Sequence, residues 1–310
     1  MYDKKISTIV LNYNNSEDTL NLLEQLVNSD RSGNIVLVDN LSTDNSVNNI
    51  TKWLCNNCLK TEVGDFKYKE TLISSNIFQY KNNTITFLIS PINGGFAFGN
   101  NVGIFYSKKA FDSEYYLILN NDITITDSFF NEILDFADTR EDAYLIGSVI
   151  YLDRENRKDM LQGIGGVFNS FTGRSKHIGL FDNNIKNYLN YNDKKLDYPI
   201  GACLLIKSEL IDIIGLLNEE YFLYYEELDY VYRLRKANLN FAICKTTKIY
   251  HKCGASIESD RNENGFSLRS YNYLRNSRKI FMKKHHPYKY YIFLTLDFLS
   301  HIIKSRKKIS

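Results

Sequence analysis

The sequence has few cysteines, and they are not arranged as a structural framework. Its 310 residues include five cysteines. An odd number without regular spacing does not form a disulfide scaffold. Cys55 and Cys58 make one CxxC pair, but no second pair follows to complete a zinc site. The cysteines therefore indicate reduced thiols, which are typical of a cytoplasmic protein.

The sequence also lacks an apolar run long enough to cross a membrane. A spanning helix needs about 18 or more apolar residues. The nearest candidate, 290–303, is shorter and contains Asp297 and His301. The first residues lead directly into a strand-like run, so we expect no signal peptide. We therefore predict a cytoplasmic protein without a spanning helix.

Two common phosphate-binding loops are absent. Gly94, Gly95 and Gly99 do not form GxGxxG, and no acid lies about 20 residues beyond the first strand and turn, so a dinucleotide dehydrogenase fits poorly. The turn at 14–17 reads Asn-Asn-Ser-Glu rather than a basic, glycine-rich loop. This turn disfavours a nucleotidyltransferase, which stays the least favoured alternative.

Apolar runs alternate with helical periodicity along most of the chain. Strands are predicted at 6–13, 35–38, 84–89, 115–119, 144–150, 200–206 and 240–244. After a helix that follows the turn at 14–16, further helices are predicted at 46–56, 97–108, 127–138, 208–214, 224–237 and 266–303. This order predicts an α/β fold with a Rossmann-like, mostly parallel central sheet flanked by helices. We interpret the irregular residues 57–83 as an insertion and the glycine- and aromatic-rich residues 151–198 as a substrate-facing loop region.

Polar or glycine residues follow four predicted strands. Ligands of open α/β sheets bind at the carboxyl ends of strands, and glycine lets backbone approach a ligand closely. The residues at these ends are Asn12, Asn14, Asp39, Gly94, Gly95 and Asp122. The pattern predicts a nucleotide crevice.

The net charge of +2 conceals a basic C-terminal segment. Residues 269–310 carry eleven Lys/Arg and one acid, whereas the preceding residues carry 27 Lys/Arg and 35 acids. Such a segment predicts a surface that meets anions, and we favour an anionic membrane over nucleic acid. A solvated charged helix is the alternative. The residues then expected to face lipid are Phe281, Tyr290, Tyr291, Phe293, Leu294 and Leu296.

A set of ordered segments covers nearly the whole chain. They are IVLNYN (9–14), VLVDNLSTDNS (36–46), NGGFAFGNNVGI (93–104), LILNNDI (117–123), GACLLIK (201–207), FLYYEELDYVYRLR (222–235), YHKCGAS (250–256) and RSYNYLRNSRK (269–279). In this order they resemble family 2 glycosyltransferases of the GT-A fold, in the bacterial rhamnosyltransferase-like branch that builds capsule or O-antigen polysaccharides. Each segment alone is a weak signal, but the ordered set is specific.

The resemblance implies a nucleotide-binding set. Asp39 would accept a hydrogen bond from the pyrimidine ring of the donor, and Gly94 and Gly95 would lie near its ribose and diphosphate. Asp39 could instead start the turn at 42–46, and the glycines could form a plain tight turn. The implied set is Asn12, Asn14, Asp39, Asn40, Asn93, Gly94, Gly95, Asn100, Asn121 and Arg275.

The resemblance also implies a metal site. Asp122 would be the metal-binding acid of a DXD-type motif, although Asn120 and Asn121 occupy its first two positions. His251 would be a second ligand, although a lone histidine is often structural. Mn²⁺ or Mg²⁺ suits such oxygen and imidazole ligands.

Glu226 and Glu227 match the family's Glu-Asp pair, with a glutamate in place of the usual aspartate. One of them would be the base that takes a proton from the acceptor hydroxyl, and we favour Glu227. A solvated helix start, where acids favour the helix dipole, is the alternative.

Taken together, the resemblance implies an inverting, metal-dependent glycosyltransferase. It would transfer a sugar, first rhamnose from dTDP-rhamnose and otherwise a UDP-sugar, to a growing, lipid-linked surface polysaccharide. The predicted organisation is a catalytic domain at 1–256, in which 1–125 bind the nucleotide and 126–256 the acceptor, and a basic helical extension at 257–310 on the inner face of the cell membrane. A non-catalytic nucleotide-sugar-binding relative is the alternative, because the metal motif retains one acid.

Overall fold

The computed structural model describes residues 6–29, 31–81, 83–153, 157, 159–252 and 268–306, and in the last range it describes side chains as far as Phe298. Its strands are β1 (Ile6–Asn12), β2 (Asn34–Asp39), β3 (Leu59–Tyr68), β4 (Thr71–Tyr80), β5 (Asn83–Ile89), β6 (Tyr115–Asn120), β7 (Ile123–Ile125), β8 (Ala143–Leu152), β9 (Leu161–Gly163), β10 (Gly166–Asn169), β11 (Arg174–His177), β12 (Cys203–Lys207) and β13 (Asn240–His251). Its helices are α1 (Ser16–Val27), α2 (Ser46–Asn57), α3 (Gly95–Ala110), α4 (Phe129–Thr139), α5 (Ser208–Ile214), α6 (Glu226–Lys236), α7 (Leu268–His285) and α8 (Pro287–Arg306).

One large sheet organises the molecule, in the order β3-β4-β5-β2-β1-β6-β12-β8-β13-β7, with β9 paired to β8. The central ladders β5-β2, β2-β1 and β1-β6 are parallel, as is β8-β13, and the other ladders are antiparallel. The predicted α/β class is confirmed, but the sheet is mixed rather than mostly parallel. The reason is that β12 runs antiparallel between β6 and β8.

The core lies on both faces of this sheet. Consecutive β1 residues Ile9 and Val10 point to opposite clusters, one with Val102 of α3 and the other with Leu22 of α1. This alternation is the period-2 geometry of a strand covered on both sides. The covering helices leave the carboxyl ends of β1, β2 and β6 as the edge where the loops meet.

Most of residues 57–83, which we interpret as an insertion, form the hairpin β3–β4 that extends the sheet beyond β5. Ile73 and Phe78 are buried, whereas Leu59, Val63 and Leu72 are exposed. Edge strands that are largely exposed lack a strong apolar alternation, which explains why their sequence looks irregular.

The predicted single helix at 266–303 is two helices that break before Pro287. Proline has no backbone N–H and its ring clashes with the preceding turn. Phe281 and Phe293 are buried in the fold, so their predicted lipid-facing position is wrong. Phe281 packs against Phe168 and Tyr232, with ring centroids 5.0 Å and 4.9 Å away.

Among the residues that the structure describes, no helix is both long enough and apolar enough to span a membrane.

Candidate functional site

The ends of β1 and β2 are joined by a buried hydrogen-bond network. Asn12 and Asp39 are register partners, and Asn12 Nδ2 donates to Asp39 Oδ2 at 2.7 Å. The Ser42 hydroxyl also donates to Asp39 Oδ2 at 2.6 Å, and the Ser42 backbone N–H donates to Oδ1 at 2.9 Å. Asp39 therefore holds the turn that follows β2, and both its oxygens accept protein donors.

Asn14 and Asn121 extend this network to neighbouring loops. Asn14 has a left-handed backbone (φ 53°), and its Oδ1 accepts from the Thr43 N–H at 2.6 Å. Asn121 Nδ2 donates to Thr19 Oγ1 at 3.0 Å and lies 3.5 Å from Asn12 Oδ1. The structure thus brings the predicted residues of three strand ends together.

The glycine segment is joined to the end of β2 through Asn40. Asn40 Nδ2 donates to Asn93 Oδ1 at 3.1 Å and to the Gly95 carbonyl at 3.0 Å. Gly94 caps α3, and Gly95 has φ +84°. A Cβ on Gly95 would overlap the carbonyl of Phe222, so the glycine permits close contact with the loop that leads to Glu226.

Two predicted nucleotide-binding residues lie elsewhere than the strand-end network. Asn100 is fully buried within α3, where its Nδ2 donates to the Phe96 carbonyl at 2.9 Å. Arg275 on α7 is 3.0 Å from Asp297 on α8. The guanidinium of Arg275 is therefore engaged in holding the two C-terminal helices together.

Asp122 and His251 form a close pair. His251 ends β13 opposite Ile123 of β7, which places His251 Nε2 3.0 Å from Asp122 Oδ1. Both residues are largely buried. Asn120 Nδ2 lies 3.3 Å from His251 Nε2, and the buried Asn120 Oδ1 has no hydrogen-bond partner in the described ranges of the chain.

This pair fits a divalent cation. Adjacent ligands of octahedral Mg²⁺ at about 2.1 Å lie about 3 Å apart, which matches the Asp122–His251 separation. Within the described ranges no group of three or more His, Cys, Asp or Glu side chains could hold a metal ion. A cation here would therefore need oxygen ligands from a substrate or water.

The two glutamates begin α6 after an unusual turn. Tyr224 and Tyr225 are both left-handed, with φ 71° and 74°. Burial and the neighbouring charge of Glu227 raise the pKa of Glu226 well above its ordinary value. Burial also raises the pKa of Glu227 to about 7.

Glu227 lies on the same edge as the Asp122–His251 pair. Glu227 Oε2 is 4.0 Å from the position that a Cβ on Gly201 would occupy. The next residue, Ala202, accepts a hydrogen bond from the Asn120 N–H at 3.0 Å. The predicted strand at 200–206 begins only at Cys203, because Gly201 and Ala202 form a turn. This turn lies between Glu227 and the end of β6.

Gln162 is a residue of this site that the sequence does not reveal. Its Oε1 lies 2.8 Å from His251 Nδ1. The residue belongs to a three-residue strand in the region interpreted as loops, and no local sequence pattern distinguishes it.

The mixed sheet with a parallel core, flanked by helices, defines a GT-A-like α/β protein. Mannosyltransferase PcManGT from Pyrobaculum calidifontis, solved with GDP-Man and Mn²⁺, has a TM-score of 0.52 at 13% identity, covering 96% of this chain and 74% of that one. S. aureus TarS 1-349 gives a TM-score of 0.49 at 16% identity, covering 95% and 72%. At 13% identity the likeness to the mannosyltransferase shows the fold alone.

The sequence is also similar to hexosyltransferase Agl10 of low-salt glycan biosynthesis from Haloferax volcanii. The two are 29% identical over 211 residues, which is 66% of this chain and 64% of that protein. The match thus spans less than two thirds of the relative's length. No family model matches the chain.

Proposed function

We propose that the protein is a metal-dependent glycosyltransferase that moves a hexosyl group from a nucleotide sugar to a hydroxyl of a growing glycan. The observation that carries this proposal is the placement of the partly buried Glu227 on the same sheet edge as the Asp122–His251 pair. The similarity to a hexosyltransferase of glycan biosynthesis supports the class of reaction.

Glu227 is the base of this reaction. Its carboxylate takes the proton of the acceptor hydroxyl while that oxygen bonds to the anomeric carbon, and the bond from that carbon to the diphosphate breaks. Attack from the side opposite the leaving group inverts the anomeric centre. A pKa near 7 lets the group be ionised at neutral pH and still accept a proton. Burial and the charge of the neighbouring Glu227 both oppose ionisation of Glu226 and raise its pKa well above the ordinary value.

Asp122 and His251 hold the cation in this proposal. A bound Mn²⁺ or Mg²⁺ neutralises charge that develops on the leaving diphosphate. A protein of the same fold was solved with a nucleotide sugar and Mn²⁺, which is consistent with this assignment.

The network of Asn12, Asn14, Asp39 and Asn121 and the segment from Asn93 to Gly95 bind the nucleotide, with Asn40, Asn100 and Arg275 as further candidates. Asp39 Oδ1 accepts one protein donor, the Ser42 backbone N–H, which leaves it a second acceptor site for a pyrimidine N–H. The first donor to test is dTDP-rhamnose, followed by UDP-sugars, and the proposed acceptor is a lipid-linked surface polysaccharide. In this organisation 1–125 bind the nucleotide, 126–256 the acceptor and 257–310 an anionic membrane at its cytoplasmic face.

The test is a thermal-shift panel of UDP, dTDP, GDP, CDP and ADP with and without Mn²⁺, followed by a transfer assay with the nucleotide sugar that matches the best ligand. A ligand that binds the folded state raises the melting temperature. We expect one diphosphate to stabilise the protein more with Mn²⁺, and Asp122→Ala to abolish the metal increment. Failure of every diphosphate to shift the transition would overturn the nucleotide site.

The same materials separate the alternatives. A metal-enhanced shift without turnover on any donor and acceptor tested would favour the non-catalytic relative. Release of pyrophosphate from a nucleoside triphosphate would favour a nucleotidyltransferase.

A further inference from the structure

We propose that Gly201 is a specificity-determining residue, which keeps the space beside Glu227 open for the sugar unit that carries the acceptor hydroxyl. A side chain at this position would compete with that sugar for the same space. This inference rests on the proposed function and deepens it, because it assigns a residue to the acceptor side of the same site.

The space beside Gly201 faces the carboxylate of Glu227. A Cβ at position 201 would lie 3.9 Å from Glu227 Cδ and 4.0 Å from Glu227 Oε2. Among the residues that the structure describes, and apart from the neighbours of Gly201 in sequence, no other atom comes within 4 Å of that position. Gly201 and Glu227 are both partly exposed. A methyl group at 201 would therefore touch the carboxylate that meets the acceptor hydroxyl in the proposed function.

The fold itself does not require glycine at position 201. The backbone of Gly201 lies outside the positive-φ region, and contacts of 3.9–4.0 Å are ordinary for a side chain. At Gly166, by contrast, a Cβ would lie 2.0 Å from Cζ of Tyr198, so packing within the protein explains that glycine. At Gly201 the room for a side chain lies on the side of the base.

The turn that contains Gly201 is anchored on both sides. Its neighbours in sequence, Ile200 and Ala202, are 4% and 3% exposed. The Ala202 carbonyl accepts the Asn120 N–H at the end of β6 at 3.0 Å. Because both neighbours are held, the turn does not shift to accommodate a side chain, and the added atoms would enter the space beside Glu227.

The size of the acceptor decides how much a side chain at 201 interferes. A sugar hydroxyl brings its ring carbon and the adjoining atoms close to Glu227, whereas water brings a single oxygen. When water replaces the sugar, its oxygen bonds to the anomeric carbon, Glu227 takes its proton, and the bond to the diphosphate breaks, which releases free sugar and nucleoside diphosphate. An added methyl group should therefore hinder transfer to a sugar more than it hinders this hydrolysis.

The test compares transfer with hydrolysis in the full chain with Mn²⁺. The donors are dTDP-rhamnose, UDP-glucose and UDP-N-acetylglucosamine, and the acceptors are octyl glycosides of glucose, galactose and N-acetylglucosamine, or water alone. We expect Gly201→Ala to lower the ratio of transfer to hydrolysis by about 10- to 200-fold, which is the discrimination that one methylene group gives in a pocket. Gly201→Val, with a larger side chain, should lower the ratio further.

Gly64→Ala on β3 is the matched control. A Cβ on Gly64 would meet only Ser75 Oγ, at 3.7 Å, among the described residues, and its φ is also not positive. This variant should leave the ratio unchanged. In urea unfolding, both alanine variants should be at least as stable as the unaltered protein, because alanine restricts the unfolded chain. Thermal shifts with UDP and dTDP should be the same in all of them, because the added methyl group lies on the acceptor side.

The outcomes separate this inference from the proposed function. If the unaltered protein transfers sugar and both Gly201 variants keep its ratio of transfer to hydrolysis, the inference is overturned and the proposed function stands. An equal loss of transfer and hydrolysis, or unfolding of both variants at lower urea than Gly64→Ala, would also overturn it, because either result shows that the fold itself needs the glycine. If the unaltered protein transfers sugar to none of these acceptors, the proposed function fails, and this inference fails with it.

Discussion

Glu226 and Glu227 are neighbours in sequence but differ in what surrounds their carboxyl groups. Glu226 is 5% exposed, and its Oε2 has no hydrogen-bond partner in the residues described. Glu227 is partly buried and faces the space above Gly201. Charge is costly at the first position because burial and the neighbouring Glu227 oppose it more strongly than the backbone hydrogen bonds favour it. In the proposed function the two side chains therefore have separate roles.

We expect Glu227→Gln to lower kcat by about 10²- to 10⁴-fold, because the amide cannot take the acceptor's proton. Affinity for the nucleoside diphosphate should stay within about twofold, because the substitution removes no nucleotide contact. Transfer rates and thermal shifts measure the two quantities. Glu227→Asp is the matched control and should retain part of the activity. A Glu227→Gln variant with undiminished kcat would exclude this residue as the base.

The direction in which kcat changes with pH follows from the ionisation of Glu227. The base must be ionised, and its pKa is raised to about 7. Below that pH the rate should fall about tenfold per unit, and above it the rate should level off. Initial rates across the acidic and neutral range measure the profile. A rate that rises as the pH falls below 7 would contradict the assignment.

Gly95 and Gly215 are a matched pair for testing close backbone contact. Both have positive φ, +84° and +77°, but a Cβ on Gly95 would overlap the Phe222 carbonyl, whereas nothing lies within 4 Å at Gly215. Gly215→Ala should cost only the backbone strain of its conformation (φ 77°, ψ −172°), about 1–3 kcal/mol of unfolding free energy. Gly95→Ala should cost about 1–3 kcal/mol more, because the loop to Glu226 must move. Urea unfolding compares them, and equal losses would show that the contact at Gly95 is not tight.

At the scale of elements, one buried carboxylate attaches the C-terminal helices to the body. Asp229 of α6 is fully buried, and it accepts from His285 at 2.7 Å and from Arg233 at 2.8 Å. Lys284 lies 3.0 Å from the same carboxylate. Burial alone would raise the pKa of Asp229, but the hydrogen bonds from His285 and Lys284 and the charge of Arg233 lower it well below 3.8. Asp229 thus links α6 to α7.

We expect Asp229→Asn to lower the free energy of unfolding by about 3 kcal/mol, because it removes the charge of a fully buried carboxylate that three cationic side chains share. Asp212→Asn, which breaks the exposed ion pair with Lys108, should cost about 0–1 kcal/mol. Because the folded-state pKa of Asp229 is depressed, its contribution is present above the ordinary pKa and is lost progressively as the pH falls below about 4 toward the folded-state pKa. Urea unfolding at about pH 6 and about pH 2 measures this loss. An Asp229→Asn variant with unchanged pH dependence would contradict it.

The elements that the sequence predicts well are those with strong burial. The apolar runs at Ile9–Leu11 and Leu117–Leu119 identify the central strands because both faces are covered. The apolar pattern does not predict the hairpin β3–β4, because its edge strand β3 is mostly exposed. Proline at position 287 favours a break between α7 and α8. The prediction of one helix at 266–303 does not include this break.

At the scale of the molecule, the sequence predicts which residues lie at strand ends but not which side chains meet. The pairing of Asn12 with Asp39 follows from parallel register, and parallel strands were predicted. The contact of Gln162 with His251 spans 89 residues and depends on a bulge, which leaves no local pattern. The ion pair of Arg275 with Asp297 depends on the turn at Pro287. It does not follow from a prediction that treats these residues as one continuous helix.

The C-terminal helices leave one apolar surface exposed. This α8 surface consists of Tyr288, Tyr291, Ile292 and Phe298, which are 96%, 76%, 51% and 62% exposed. Their spacing places them on one side of the helix. The segment 269–310 that contains α8 is strongly basic. An apolar helix face in a basic segment suits the interface of an anionic membrane.

We therefore expect the protein to sediment with phosphatidylglycerol vesicles and much less with phosphatidylcholine vesicles, and salt should reduce the binding because it screens the charges. Replacing Tyr288, Tyr291 and Ile292 together by serine should weaken vesicle binding about tenfold or more, because the apolar side chains no longer enter the interface. The matched control replaces Leu59, Val63 and Leu72 of the hairpin, which are 70%, 66% and 61% exposed, and should bind vesicles like the unaltered protein. Urea unfolding checks that both variants are folded. If the α8 variant sediments as well as the control, the α8 surface is not the membrane contact, and if the unaltered protein binds neither lipid, the membrane role is wrong.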